Sequence, residues 1–535
     1  LNPEEYRRVN QDSHKKQIGK EFPQMKRVKR TFATAATVLF LSTLFFGESI
    51  KEPLRVLDAY IQKSMQEWQA PGIAVGIVKN DRVIFSKGYG FRELGKPDRV
   101  DSRTIFAVGS QGKAFTAAAI AMLVDEGKLS WDDEVIAYVP ELKLYDPWVT
   151  RELRIRDLLC HRIGIKRSDP VWYMNNYSQD KILYLLRFIQ PDYSFRSRFG
   201  YHNMIFVPAG KVITALTGLS WKEFVKQRIF HPLNMSQSST SITEFKQDDP
   251  LASPHEIINE TAQSIRWQTL DNIAPAGAIN STVDDMMQWL RLQLGKGIYQ
   301  EKRLISSTAI EEMHSPQTII SIPWLSKVDP VWALMASNSN FFMYGLGWFC
   351  QDYHGVKLVH HGGEIDGMRC QVGMIPEKNV GIVIFVNLHP TPLPEAIMYK
   401  FFDISLGIDS RDWSAEMLRI VRSMSIQRAD SKRKMAKARF TNTKPSLALE
   451  DYTGSYENKI YGKAKVTMED MRLLLHIGKY SGDLEHWHFD TFTVNLRRPS
   501  IMPLELITFK LNILGKAEKF HIPGLGDFQK VLDKK

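Results

Sequence analysis

Leu54, Leu57, Ile61, Met65 and Trp68 recur with helical spacing until Pro71-Gly72 breaks the run. Residues 73–78 and 83–86 then read as two strands around Asn80-Asp81, a dipeptide that favours a tight hairpin. Residues 114–123 are rich in Ala, Ile, Met and Leu and predict a helix. A helical insert follows over about residues 129–294. Residues 345–348, 356–360, 369–375 and 381–387 read as strands that complete the sheet begun by the first hairpin. Beyond residue 449 the pattern changes to short strands separated by turn residues, which predicts a small all-β barrel. The fold class is therefore α/β (α+β): an antiparallel sheet flanked by helices, with a helical insert and a C-terminal barrel.

Charge changes this picture less than its total suggests. The 535 residues carry 70 Lys/Arg against 59 Asp/Glu, a net of +11. Residues 1–30 hold nine Lys/Arg against four Asp/Glu, and residues 428–439 hold six against one, so each segment contributes +5 and the remainder only +1. A nucleic-acid partner would need a basic face on the body of the chain, and none is read there. Residues 428–446 form a basic, helix-prone linker ending near Pro445, either a solvated charge run or a contact with acidic lipid.

Residues 31–47 are almost uncharged and apolar, follow the basic stretch Met25-Lys26-Arg27-Val28-Lys29-Arg30, and end near the small residues Gly47 and Ser49. The run is shorter than a bilayer span and matches a secretory signal peptide over 25–49. An uncleaved signal-anchor and a mitochondrial presequence are the alternatives. The first two place the body of the chain outside a membrane, secreted or periplasmic, with membrane contact through this segment only. Residues 1–24 read as a non-native or cytoplasmic extension. Three cysteines, Cys160, Cys350 and Cys370, are too few for a disulfide scaffold. Free buried thiols are favoured over a Cys350–Cys370 bridge. Neither a metal nor a cofactor is required by any motif.

Ser110-Gln111-Gly112-Lys113 opens the predicted 114–123 helix. Side chains at i and i+3 face the same way, so Lys113 can reach the Ser110 hydroxyl. A serine needs a neighbouring base to become a nucleophile, and free N–H groups at a helix start favour developing negative charge. Taken alone, a serine N-cap beside an incidental lysine is equally consistent with the motif. Tyr201-His202-Asn203 and His361-Gly362-Gly363-Glu364 lie far downstream in the same order-dependent set.

Together, Ser-x-x-Lys, Tyr-x-Asn and His-x-Gly resemble the serine beta-lactamase and penicillin-binding-protein superfamily, in the branch of class C-like enzymes, D-aminopeptidases and esterases. The segments Ile155–Gly164, Phe230-His231-Pro232-Leu233-Asn234-Met235, Ala274-Pro275-Ala276-Gly277 and Tyr344-Gly345-Leu346-Gly347-Trp348 are similar to its landmarks. The resemblance implies a hydrolase domain over 50–427. It implies Ser110 as nucleophile, Lys113 as base, Tyr201 as proton relay, and His361 as the residue that orients Tyr201 and helps bind an anionic group. Asn203 would bond Lys113 and the substrate amide. Gly362 and Gly363 would let the substrate lie along the strand, and the N–H groups of Ser110 and Glu364 would receive the oxyanion. No glutamate of the class A type is available as a deacylation base.

The expected activity is cleavage of an amide or ester through an acyl-serine, with a small peptide, including one carrying D-residues, as substrate or else an ester. The alternatives are a catalytically idle ligand-binding relative and a self-assembling structural protein, and a homo-oligomer fits any of the three. Tyr452-Thr453-Gly454-Ser455-Tyr456, Ile460-Tyr461-Gly462 and Leu484-Glu485-His486-Trp487 make residues 447–535 similar to the lipocalin-like barrel of some related hydrolases. Such a module would limit access to Ser110 or join subunits.

Overall fold

The computed structural model describes residues 52–409, 411–496 and 506–531. It divides into two compact units, 1–56 and 57–535. In the first, residues 52–56 are helical, and the apolar run at 31–47 lies outside the described residues. The second unit contains the sheet, the helices around it and the barrel.

The sheet is built from the two ends of its sequence. The hairpin β1 (Gly72–Lys79) and β2 (Arg82–Gly90) turns through Asn80 and Asp81, both with positive φ. The other six strands are β3 (Thr318–Ile319), β4 (Phe342–Tyr344), β5 (Phe349–Tyr353), β6 (Val356–Ile365), β7 (Met368–Ile375) and β8 (Val380–Val386). The spatial order is β2-β1-β8-β7-β6-β5-β4-β3, so β1 pairs antiparallel with β8, Ile73 facing Val386. Strands β1 and β8 are apolar on both faces and buried, as central strands covered on both sides must be. Helix α1 (Gly112–Asp125) packs on α2 (Phe206–Thr217), α3 (Val283–Leu294) covers β1 and β8, and α4 (Leu393–Leu406) covers β8 and carries α5 (Trp413–Lys437). Helix α1 is buried along nearly its whole length, with Phe115 stacked on Trp289 of α3 at 3.9 Å.

One expected strand is instead a turn. Gly345 donates to the Trp348 carbonyl at 2.7 Å, and Gly347 has φ +77°, which no strand residue adopts. The glycines of Tyr344-Gly345-Leu346-Gly347-Trp348 therefore connect β4 to β5, and Gly347 has no room for a Cβ beside Lys113 O at 2.9 Å. All three cysteines are free and buried, and burial pushes the Cys160 and Cys350 thiols up to about 12.

Eight antiparallel strands close the C-terminal barrel: β9 (Gly454–Asn458), β10 (Gly462–Glu469), β11 (Arg472–Ile477), β12 (Tyr480–His488), β13 (Thr491–Leu496), β14 (Leu506–Leu511), β15 (Ala517–Ile522) and β16 (Gly526–Val531). Pairing of β9 with β16 removes the open edges that isolated strands carry. Aromatic rings fill the interior. Phe520 lies 4.7 Å from Tyr456 and 4.9 Å from Phe528, and Tyr452 lies 4.8 Å from Phe509. The buried Tyr456 hydroxyl is satisfied by the Tyr452 carbonyl at 2.8 Å.

Candidate active site

Ser110 sits in a single 3-10 turn, Gly109–Gln111, that runs into α1. Gly109 takes φ +57°, and a Cβ there would lie 2.8 Å from the Glu364 backbone nitrogen. A Cβ on Gly363 would lie 1.8 Å from Val108 O and 3.1 Å from the Ser110 nitrogen. Glycine at both positions is what lets the Ser110 turn lie backbone to backbone against β6. This contact brings the N–H groups of Ser110 and Glu364 to the same place. Gly362 serves a separate purpose, since a Cβ there would meet the Gln371 amide at 2.6 Å.

Lys113 is fully buried. Its Nζ is 2.7 Å from Asn203 Oδ1, 3.0 Å from the Ala276 carbonyl and 3.1 Å from Ser110 Oγ. Burial holds its pKa well below the ordinary lysine value, with Arg167 acting in the same direction and Asp169 and Glu364 opposing. Nζ donates to all three. Asn203 Oδ1 and Ala276 O can only accept, whereas the Ser110 hydroxyl can also donate. Loss of one proton from the amine therefore turns its lone pair to the Ser110 hydroxyl.

Tyr201 brings its phenol against the same hydroxyl. Burial raises its pKa far above the ordinary tyrosine value, and the hydrogen bond with Ser110 and the charge of Arg167 partly oppose this. Asn203 is held from the other side, its Nδ2 donating to Asp169 Oδ1 at 3.0 Å. Asp169 also accepts from Trp172 Nε1 at 2.7 Å and Arg167 Nε at 2.5 Å. These partners keep its carboxylate ionised against the burial that opposes charge. A chain thus runs from Arg167 through Asp169 and Asn203 to Lys113.

His361 has different partners from those expected. Its Nδ1 donates to the Gly362 carbonyl at 2.5 Å, which leaves Nε2 to accept from the Tyr344 hydroxyl at 2.8 Å. Its ring centroid is 6.4 Å from that of Tyr201. The ring packed on Tyr201 is that of His161, 4.1 Å away. Burial keeps both imidazoles well below the usual histidine range and therefore neutral. With both nitrogens engaged, His361 offers no cation to an anionic group. The neighbouring His360 points to the opposite face of β6, held between Gln351 and Gln371 at 3.2 Å each.

Ser110, Lys113, Tyr201 and Asn203 are thus gathered at one point, beside Gly363 and the Glu364 nitrogen. His361 is one shell further out, and the half-exposed Glu364 side chain pairs with Arg369. Asp169, Arg167 and Trp172 were not singled out from sequence. They lie on the loop 166–177, where no periodicity or spacing marks them.

The barrel rests on that loop. Lys479 N donates to Met174 O at 2.8 Å, Asn175 Nδ2 to Tyr461 O at 3.3 Å, and Tyr480 stacks on Tyr173. Gly478 and Gly462 have positive φ, and side chains there would strike Met174 O and the Tyr177 hydroxyl. Tyr173 in turn donates to Asp366 at 2.7 Å, just beyond the end of β6.

Comparison with known proteins places this geometry. Residues 57–401 match the Beta-lactamase family model, and residues 438–533 match a domain of unknown function (DUF3471). An unguisins hydrolase of Aspergillus violaceofuscus is 26% identical over 447 residues, covering 78% of this chain and 77% of the relative. The protein flp of Staphylococcus aureus is 26% identical over 361 residues, covering 64% of each. The octameric penicillin-binding protein homologue from Pyrococcus abyssi superposes with a TM-score of 0.59 at 24% identity, covering 89% of this chain and 100% of that one.

Proposed function

Because the chain belongs to the beta-lactamase family, we propose that it is a serine hydrolase cleaving an amide or ester of a small peptide or related acyl compound through an acyl-serine. The observation that carries this reading is the position of Lys113 Nζ, buried, 3.1 Å from Ser110 Oγ and held there by Asn203 Oδ1 and the Ala276 carbonyl. In the first step Ser110 Oγ bonds to the substrate carbonyl carbon while its proton passes to Lys113. The carbonyl oxygen becomes an oxyanion facing the N–H groups of Ser110 and Glu364. Its collapse breaks the bond to the leaving group, which takes a proton relayed through Tyr201. Water then adds to the acyl-serine, gives its proton to the same relay, and releases the acid and Ser110.

The relatives are in keeping with hydrolysis, one of them being an unguisins hydrolase. The barrel, resting on the loop that holds Asp169, acts as a wall that restricts long substrates. Labelling with a fluorophosphonate probe, followed by a panel of chromogenic D- and L-aminoacyl amides and esters, tests the proposal. Ser110→Ala is expected to abolish labelling and turnover with the unfolding temperature preserved. Equal turnover by this variant would overturn the acyl-serine.

A further inference from the structure

In a closed barrel of antiparallel neighbours, alternate turns emerge at the same end. The β9–β10 and β11–β12 turns carry Tyr461 and Lys479 and face the loop 166–177. The β10–β11, β12–β13 and β14–β15 turns therefore share the opposite end. Their tips are Met471, Phe489 and Ile513-Leu514. Met471 is 75% exposed, Phe489 51%, Leu514 75%, and Ile513 fully so.

Two of these residues oppose both local forces that ordinarily choose a turn residue. Met471 and Phe489 have φ of +63° and +46°, where a side chain is strained and Gly or Asn is preferred. Water likewise favours a polar side chain there. Among the described residues, the other non-glycine positive-φ positions are Asn, Asp, Gln, Glu, His, Lys or Arg. The two apolar exceptions both fall at one end of one barrel. Beside them, Arg439 donates to the carbonyls of His486 and Trp487, and Phe440, 62% exposed, packs on Phe489 at 5.5 Å. This fixes the exposed, basic end of α5, whose residues 428–439 carry a net +5, against the apolar tips.

We propose that this end of the barrel docks on an anionic lipid bilayer, with Met471, Phe489, Ile513 and Leu514 entering the interface and the basic end of α5 lying over the headgroups. Apolar tips beside concentrated positive charge are complementary to that surface and to few others. It is a membrane contact separate from the apolar run at 31–47, and it gives the acidic-lipid alternative for the 428–446 linker an apolar partner in the barrel tips. The barrel end that grips the loop 166–177 then points away from the lipid.

A label confined to one tip separates this surface from the N-terminal run in the full chain. The native thiols are buried, so Ile513→Cys can be tagged selectively with an environment-sensitive nitrobenzoxadiazole dye, with Lys302→Cys as control. Vesicles of phosphatidylcholine with phosphatidylserine should shift the Ile513→Cys emission to the blue, reversibly with salt. Phosphatidylcholine alone, and the Lys302→Cys label, should give no shift. In the Met471→Gly/Phe489→Asn variant the affinity read at Ile513→Cys should fall on the order of tenfold or more, while thermal stability should rise because the turns become relaxed. An unmoved label in anionic vesicles would overturn the proposal. So would a shift that tracks protein concentration without lipid, which would assign the tips to a second copy of the chain. Lower stability of the double variant would assign Met471 and Phe489 to packing and overturn it as well.

Discussion

Two interiors of this protein are lined with aromatic rings, one closed by antiparallel strands and one set between β6, α1 and loops, and they are built to opposite rules. The barrel interior is closed by Tyr456, Phe509, Phe520 and Phe528, with its buried tyrosine hydroxyl tied to a nearby carbonyl. Burial there only strengthens the neutral state that the Tyr452 and Tyr456 phenols already prefer. The space around Ser110 buries an amine, two imidazoles and a carboxylate. Each opposes the hydrophobic effect; the amine and the carboxylate are held by specific partners, whereas His161 Nε2 is buried with none among the described residues. The contrast teaches where to look for chemistry in a large chain: at polar groups buried at a cost in stability, not at the largest cluster of rings.

Substitutions that exchange the properties of the two interiors put this to the test. Lys113→Met should lower kcat/KM by about a hundredfold to ten-thousandfold, the range for losing a general base. It also carries a pH signature. The folded protein holds Lys113 neutral, whereas the unfolded chain protonates it below about pH 10, so the unfolded state binds the extra proton and wild-type stability rises with pH in this window. Urea unfolding should therefore show the stability of wild type relative to Lys113→Met increasing from neutral to alkaline pH. Phe520→Ala is the converse change. It should cost roughly 3–5 kcal/mol of stability, measured by denaturant unfolding, with the activity of the folded fraction unchanged.

Gly363→Ala tests the backbone contact, where Val108 O cannot move aside as a side chain would. A displacement of Ser110 by an ångström should slow fluorophosphonate labelling about a hundredfold, with the barrel unaffected. Asp169→Asn keeps the shape of the loop but removes the charge that Arg167 and Trp172 address. Its expected loss of kcat/KM is on the order of tenfold, smaller than that of Lys113→Met.

What could be read from sequence followed from how local each feature is. Ser110 and Lys113 lie one helical turn apart, so a pattern in the chain carries their meeting. The β1–β2 hairpin and the barrel strands were legible for the same reason. Asp169 was invisible because its importance comes from Asn203, a partner fixed by the packing of α2 against α1. The rings of His361 and Tyr201 do meet, but strand alternation fixes only the face a side chain takes, not that the Tyr344 hydroxyl bonds its Nε2. Residues 345–348 form a turn and not a strand because Gly347 takes a positive φ, which the sequence pattern does not fix. Met471 and Phe489 drew no notice, since an apolar residue between two strands is unremarkable until its backbone angle is known.

The order of the sheet bears on how the chain is made. Strand β1 pairs with β2 at once, but its other neighbour, β8, is about 300 residues further on. At a synthesis rate of about 5–20 residues per second, the fully apolar outer edge of that hairpin waits some tens of seconds on the ribosome for its partner. An unpaired apolar edge is a template for wrong pairing. The barrel pairs neighbours in sequence except at its closure, where β9 meets β16 within about eighty residues, and so has a far shorter delay. A chaperone that shields residues 72–79 during synthesis should therefore raise the yield of active protein, while doing little for a chain from which only the barrel must fold.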